Sequence, residues 1–236
     1  MKKTALTLLL LLGTVFALSA QDIETSDESV KENTPTWRFA IQGGGSYRLA
    51  GIPSDASEIE KSHIKKLKWG LTYGADITGF FSENLGAGIK FHNAHFGHEM
   101  PVTAQINGKT KSGSLEDQIN IFFVGPILTT RSLNRTKTNA FILSWGLGYI
   151  GYNDAAKVVD SYRLKGGTLG FLAEVGYDIG LAPHLSLGFA LTYMSGTLSS
   201  YKITNQAGQT QEVKLEKGER EGLANLSLNI GLRYNL

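Results

Sequence analysis

From Leu226 to Leu236 the chain alternates without a break. Leu226, Leu228, Ile230, Leu232, Tyr234 and Leu236 occupy one parity, and Ser227, Asn229, Gly231, Arg233 and Asn235 the other. Successive side chains of an extended strand point to opposite faces, so this segment is apolar on one side and polar on the other. The same period of two predicts strands near 37–49, 67–81, 85–97, 117–130, 139–152, 167–181, 185–199 and 222–236. The strand count is even, and the connections alternate in length. They run to about 17 residues, three (Ser82-Glu83-Asn84), about 19, eight (131–138), about 14, three (Ala182-Pro183-His184) and about 22. Short turns at one end and long loops at the other predict an all-β fold, an eight-stranded antiparallel up-and-down transmembrane β-barrel.

The apolar face reads Trp37, Phe39, Ile41 and Tyr47; Leu67, Trp69, Leu71, Tyr73 and Ile77; Leu85, Ala87, Ile89 and Phe91; Ile119, Ile121, Phe123 and Ile127. It continues with Phe141, Leu143, Trp145, Leu147 and Tyr149; Leu169, Phe171, Val175, Tyr177 and Ile179; Leu185, Leu187, Phe189, Leu191 and Tyr193. Aromatics recur near strand ends, where amphipathic rings favour membrane interfaces. The opposite face carries Arg38, Gln42, Arg48, Lys68, Thr72, Asp76, Lys90, His92, Gln118, Asn120, Glu174, Asp178, Asn225, Asn229 and Arg233. A soluble barrel or sandwich hides its large apolar residues and shows its charges. The number of aromatics on one face, with segments of 13 to 15 residues, favours a membrane wall with the charges inside.

Targeting residues agree with that picture. Lys2 and Lys3 precede an apolar run from Ala5 to Leu18, followed by Ser19 and Ala20, so residues 1–20 read as a signal peptide cleaved on export. Residues 21–36 are acidic and polar and read as a flexible periplasmic lead-in, leaving 37–236 as the outer-membrane barrel. Removing Lys2 and Lys3 from 23 basic residues leaves 21 against 21 acidic ones, a net charge of zero, which argues against a nucleic-acid partner. The chain has no cysteine, so it has neither disulfides nor a lipid-anchoring thiol.

Six inner-face charges, Arg38, Asp76, Lys90, Glu174, Asp178 and Arg233, are candidates for one lumen ion-pair network, because an eight-stranded lumen is filled by side chains and buried charges must pair. A narrow, gated solute path through the same residues is the functional rival. Phe122, Val124, Pro126 and Leu128, with Phe80, Ile142, Ile150, Leu172 and Met194, are read as a greasy part of the interior, and Gly125-Pro126 as a bulge.

Other motifs carry less. Gly146-Leu-Gly148-Tyr-Ile-Gly151 has the glycine spacing of a dinucleotide site but lies inside an alternating strand, and Gly43-Gly44-Gly45 lacks the Lys-Ser/Thr ending of a phosphate loop and suits close packing in the wall. His92 and His98 share a face but lie about 20 Å apart at roughly 3.3 Å per residue, and His95 points the other way, so no metal site is expected. No cofactor and no catalytic residue is assigned. The loops at 51–66 and 214–221 mix acids with lysines and suit either plain solvation or contact with anionic lipopolysaccharide, and Asn107-Gly108 and Asn205 to Gly208 supply turns.

Leu67-Lys-Trp-Gly-Leu-Thr-Tyr-Gly-Ala-Asp76, Phe80-Phe-Ser-Glu-Asn-Leu-Gly-Ala-Gly-Ile-Lys90 and Leu228-Asn-Ile-Gly-Leu-Arg-Tyr-Asn-Leu236 resemble the small outer-membrane β-barrel domain proteins common in Bacteroidota. The resemblance covers about residues 37–236 and implies fold and location, with no catalytic residue to carry over. Many such barrels end in an aromatic; here Leu236 stands last and Tyr234 supplies the ring for the barrel assembly machinery. Three functions follow as expectations: a monomeric, non-enzymatic scaffold whose loops meet lipopolysaccharide or other surface molecules, a narrow channel for small or apolar solutes, and a lipid-modifying enzyme using His95 or a rim residue.

Overall fold

The computed structural model describes residues 35–51, 58–106, 109–157, 161–216 and 220–236. The expected signal peptide (1–20), the expected lead-in up to residue 34, Asp55, Asn107-Gly108, Lys217 and Glu219 lie outside them. Eight strands build the wall: β1 (Trp37–Arg48), β2 (Trp69–Phe80), β3 (Leu85–Ile106), β4 (Lys109–Leu133), β5 (Asn139–Lys157), β6 (Ser161–Ala182), β7 (Leu185–Leu198) and, last in the chain, β11 (Asn225–Asn235). Each pairs antiparallel with its chain neighbour, and β11 joins β7 to β1, which closes the cylinder. Closure leaves no sheet edge among these eight at membrane height, the condition for a sheet to cross lipid.

The outer surface is the apolar row expected from alternation. Ile41, Trp69, Leu71, Ile89, Leu147, Leu169 and Leu228 stand exposed on it. Tyr47 and Trp69 meet edge to face at 4.9 Å at the long-loop end, while Trp37, Phe81 and Tyr234 mark the short-turn end.

The structure corrects five readings. Strand β4 faces the other way: Ile119, Ile121, Phe123 and Ile127 are buried inside, while Gln118, Asn120, Phe122, Val124, Pro126 and Leu128 lie on the outer side. Residues 121–128 are apolar at both parities, so alternation alone cannot orient them. Pairing decides, because Lys90 and His92 point inward and sit opposite Gly125 and Phe123, and directly opposed residues share a face. Gly125-Pro126 makes no bulge. The β3 ladder runs straight past it, and the β4–β5 register resumes at Ile127 opposite Gly146 with no residue gained or lost.

Third, Leu67 is buried, because it ends the turn after a helix rather than starting a strand. Fourth, Lys68 leaves the inner face and sets its ammonium 5.8 Å from the centre of the outward Tyr47 ring. Fifth, the long connections are built rather than looped. β3 to β6 continue past the wall as paired strands, helix α1 (Glu58–Lys66) occupies the first loop, and β8 (Ser200–Thr204) and β9 (Thr210–Lys214) extend the sheet from β6, with β10 (Glu221–Gly222) on β7.

Candidate functional site

The lumen is filled in layers. Toward the short-turn end, β1, β2, β3 and β6 bring five charged groups together with the inward rows of β7 and β11. Asp76 sits directly opposite Lys90 in the β2–β3 ladder. Arg38 gives Nη1 to Asp76 at 2.8 Å and Nε to Asp178 at 3.0 Å. Lys90 Nζ lies 3.0 Å from Asp76 and 2.8 Å from Glu174. Gln42 donates Nε2 to Glu174 at 2.8 Å and accepts Nη2 of Arg233 at 2.7 Å. Arg233 Nε closes the circuit on Asp178 at 3.5 Å, an ion contact rather than a hydrogen bond.

The result is a ring of seven side chains, three cations and three anions with one amide, whose members are almost wholly withdrawn from solvent. Charges in a low dielectric are costly unless compensated, and here every charged group has at least one opposite neighbour within 4 Å. Thr192 adds a 2.6 Å hydroxyl bond to Glu174. Above the ring, His92 Nε2 lies between the hydroxyls of Thr72 at 3.1 Å and Ser227 at 3.3 Å.

Higher still the interior turns apolar. Phe96, Ile121, Phe123, Ile150, Leu172, Met194, Leu198 and Leu223 pack into one core with almost no exposed area. Phe80 and Ile142 are buried nearer the short turns, where the Arg131 guanidinium lies 3.7 Å over the Phe80 ring. Below the ring a vestibule of about 360 Å³, lined by Arg38, Arg131, Asp178 and Ser186 among others, opens toward the short turns and ends on the charges.

At the long-loop rim, α1 is held by His63, whose Nε2 meets Asp117 at 2.6 Å and whose ring centre lies 5.1 Å from that of His98. His98 is held below its ordinary pKa, by desolvation and then by His63 and Lys66. Arg48 pairs with Glu221, which ties β10 to the end of β1. The His63–Asp117 pair was beyond sequence reasoning, since nothing local signals that a loop helix folds back onto a strand 54 residues later.

Tyr152 donates to Asp154 at 3.0 Å, five residues past the last large apolar ring on the outside of β5, Tyr149, and so clear of the lipid belt. The Asp154 carboxyl is pushed up to about 6, first by burial and then by the Asp117 carboxylate. A raised acid favours the fold below its unfolded value of 3.8, and that advantage is lost as pH rises through about 6. Hydrogen exchange over residues 150–157, corrected for intrinsic rate, is therefore expected to show protection falling between about pH 4 and 6 and levelling off above. In Asp154→Asn that dependence should vanish; an unchanged profile contradicts the assignment.

His95 faces outward and places Nδ1 3.0 Å from Asn120 Oδ1, so its partner is an amide rather than the carboxylate or hydroxyl a hydrolytic pair needs. Among the described residues no three His, Asp or Glu groups stand where they could hold a metal ion.

No protein-family model matches the chain, and no curated protein matches it in sequence. Solved structures do match in fold. The outer membrane protein OprG of Pseudomonas aeruginosa aligns at a TM-score of 0.52 with 15% identity, over 86% of this chain and 97% of its own. A major outer membrane protein of Thermus thermophilus aligns at 0.51 with 12% identity, over 85% of this chain and 99% of its own. At such identities the likeness concerns architecture: the chain is a closed, eight-stranded, antiparallel transmembrane β-barrel of the kind found in outer-membrane proteins.

Proposed function

We propose that this chain is a monomeric, non-enzymatic protein of the outer membrane, exported by its first 20 residues, seated by the barrel assembly machinery, and serving as a scaffold for its long-loop end. The short turns then lie in the periplasm and the extended β3–β6 sheet outside the cell. One observation carries the reading: the lumen is filled twice over, by the charged ring and by the apolar core above it. A pore needs a continuous wet path, and the vestibule at the periplasmic end stops on the Arg38–Asp178 pair. What remains available for function is the outer surface, with its helix, its β8–β9 hairpin and its long paired strands. Lipopolysaccharide, the most abundant neighbour of such a surface, is its expected partner. Descent from the Bacteroidota group rests on the sequence motifs.

Planar bilayers test the reading. The purified full chain is expected to give no reproducible unitary conductance. Discrete openings in the wild type that disappear when Lys90 or Glu174 is charge-reversed would establish the solute path instead.

A further inference from the structure

The outer wall changes character above Tyr149 and Leu169, which face each other across β5 and β6. Below this pair the outward rows are apolar, with Trp145 and Leu147 on β5 and Phe171 and Val175 on β6. Above it the paired positions become Gly151 with Gly167, Asn153 with Lys165, and Ala155 with Arg163. Strand β8 widens the sheet, setting Lys202 opposite Lys165 and Thr204 opposite Arg163. Opposed residues share a face, so Arg163, Lys165 and Lys202 gather on the outside of the wall. Among the described residues none of the three has an ion-pair partner within 4 Å. Two carboxylates stand near: Glu212 faces Lys202 across β8–β9 without closing to that distance, and Glu116 accepts from Gln118 at 2.7 Å.

These cations edge two adjoining recesses. One, of about 340 Å³, includes Phe122, Tyr149, Lys165 and Lys202 in its lining; the other, of about 480 Å³, shares Lys165 and adds Arg163 and Tyr162. The first is floored by backbone. A Cβ on Gly151 would lie 2.2 Å from the Phe122 ring, and one on Gly167 would lie 2.1 Å from the Tyr149 hydroxyl, so both rings rest on bare glycine. Two aromatic faces thus form a shelf beneath three cations, whose charge Glu212 in the lining of the first recess and Glu116 in that of the second offset only in part.

Height selects the occupant. Lys165 lies four residues beyond Leu169, about 13 Å along the strand and about 10 Å in elevation at the usual barrel tilt. Headgroups occupy roughly 5 to 8 Å outside each face of the hydrocarbon, and lysine stems bend to reach them. Phosphate, carrying up to two charges and several acceptor oxygens, suits such a trio better than a single carboxylate.

We propose that this recess binds a phosphorylated glycolipid of the outer leaflet. Its phosphate sits among Arg163, Lys165 and Lys202, its sugar against Tyr149 and Phe122, and its acyl chains run down past Val124, Leu147 and Leu169. The proposal rests on the outer-membrane reading above, and it moves the lipid contact from the charged loops to the wall.

Native mass spectrometry of the full chain in neutral detergent tests it, with bisphosphorylated lipid A as probe. The wild type is expected to retain one lipid. Binding should weaken by at least about ten-fold in R163Q/K165Q/K202Q, and by a similar factor when the lipid is dephosphorylated. A loop variant, K65Q/K66Q, should bind as the wild type does, and millimolar inorganic phosphate should not displace the lipid. Equal binding by the triple variant or by dephosphorylated lipid, loss in the loop variant alone, or displacement by free phosphate would each overturn the proposal. Should the triple variant not assemble, K165Q alone carries the test, with a loss of about three-fold or more expected and wild-type binding counting against it. Cell fractionation separates the two levels: a chain absent from the outer membrane refutes the cellular placement, whereas micelle binding is scored independently of it.

Discussion

Replacing Lys90 with methionine is expected to destabilise the folded barrel by about 3–5 kcal/mol, the usual cost of stranding a buried charge. Lys90 is the cation shared by Asp76 at 3.0 Å and Glu174 at 2.8 Å. Their fates differ once it is gone. Asp76 keeps Arg38 at 2.8 Å, whereas Glu174 is left with the neutral donors Gln42 and Thr192. Most of the loss should therefore arise at Glu174, and K90M/E174Q should recover the larger part of it, because an amide of the same shape still accepts both neutral bonds. Urea unfolding in detergent micelles, followed by the heat-modifiable gel shift, measures both variants. A K90M barrel within about 1 kcal/mol of wild type, or a double variant no better than the single, would mean the ring is solvated and the lumen wet.

That ring also shows what the sequence discloses and what it withholds. Arg38, Asp76 and Lys90 on neighbouring strands, and Glu174, Asp178 and Arg233 on others, share the inward parity, and counting residues from each turn sets their relative heights. Parity and height are local properties. The amide of Gln42, which links Glu174 to Arg233, is equally inward, but nothing marks it as a bridge until side-chain reach across the lumen is known.

Strand β4 shows where local pattern fails. Ile119, Ile121, Phe123 and Ile127 alternate with Phe122, Val124, Pro126 and Leu128, so both faces are greasy and only the partner strand can say which is inside. The reason both are greasy is physical: one face meets lipid and the other meets the upper core of Phe96, Leu172 and Met194. The strand extensions beyond the membrane were hidden for a related cause. Residues 100–106 still alternate, Met100, Val102, Ala104 and Ile106 against Pro101, Thr103 and Gln105, but their partner stretch 109–116 shows no period, and the two pair because each closes the ladder of the other. The cationic recess has no local signature for the same reason, since Lys165 and Lys202 become neighbours only when β8 docks on β6.

Gly44→Val is expected to block assembly of the barrel, and Gly45→Val, one residue away, to leave it intact. Both belong to the run Gly43-Gly44-Gly45 on β1, which pairs with β11 along the seam where the first and last strands close the cylinder. A Cβ on Gly44 would lie 1.9 Å from the Leu228 carbonyl oxygen, with the Leu228 carbonyl carbon and Asn229 Cα at 2.9 and 3.0 Å. All three are backbone atoms of β11, so relief requires the strands to part rather than a side chain to turn. Parting them breaks the ladder that removes the sheet's edge, and an edge open to lipid leaves amide and carbonyl groups unsatisfied at several kcal/mol each. At Gly45 no atom lies within 4 Å of the same added carbon, and the position faces outward, where a β-branched side chain suits both strand and lipid. The heat-modifiable band and protease resistance in membranes report closure directly. Wild-type levels of folded G44V, or an equal block in G45V, would show that the seam tolerates bulk and that the glycine run answers to something other than the approach of these two strands.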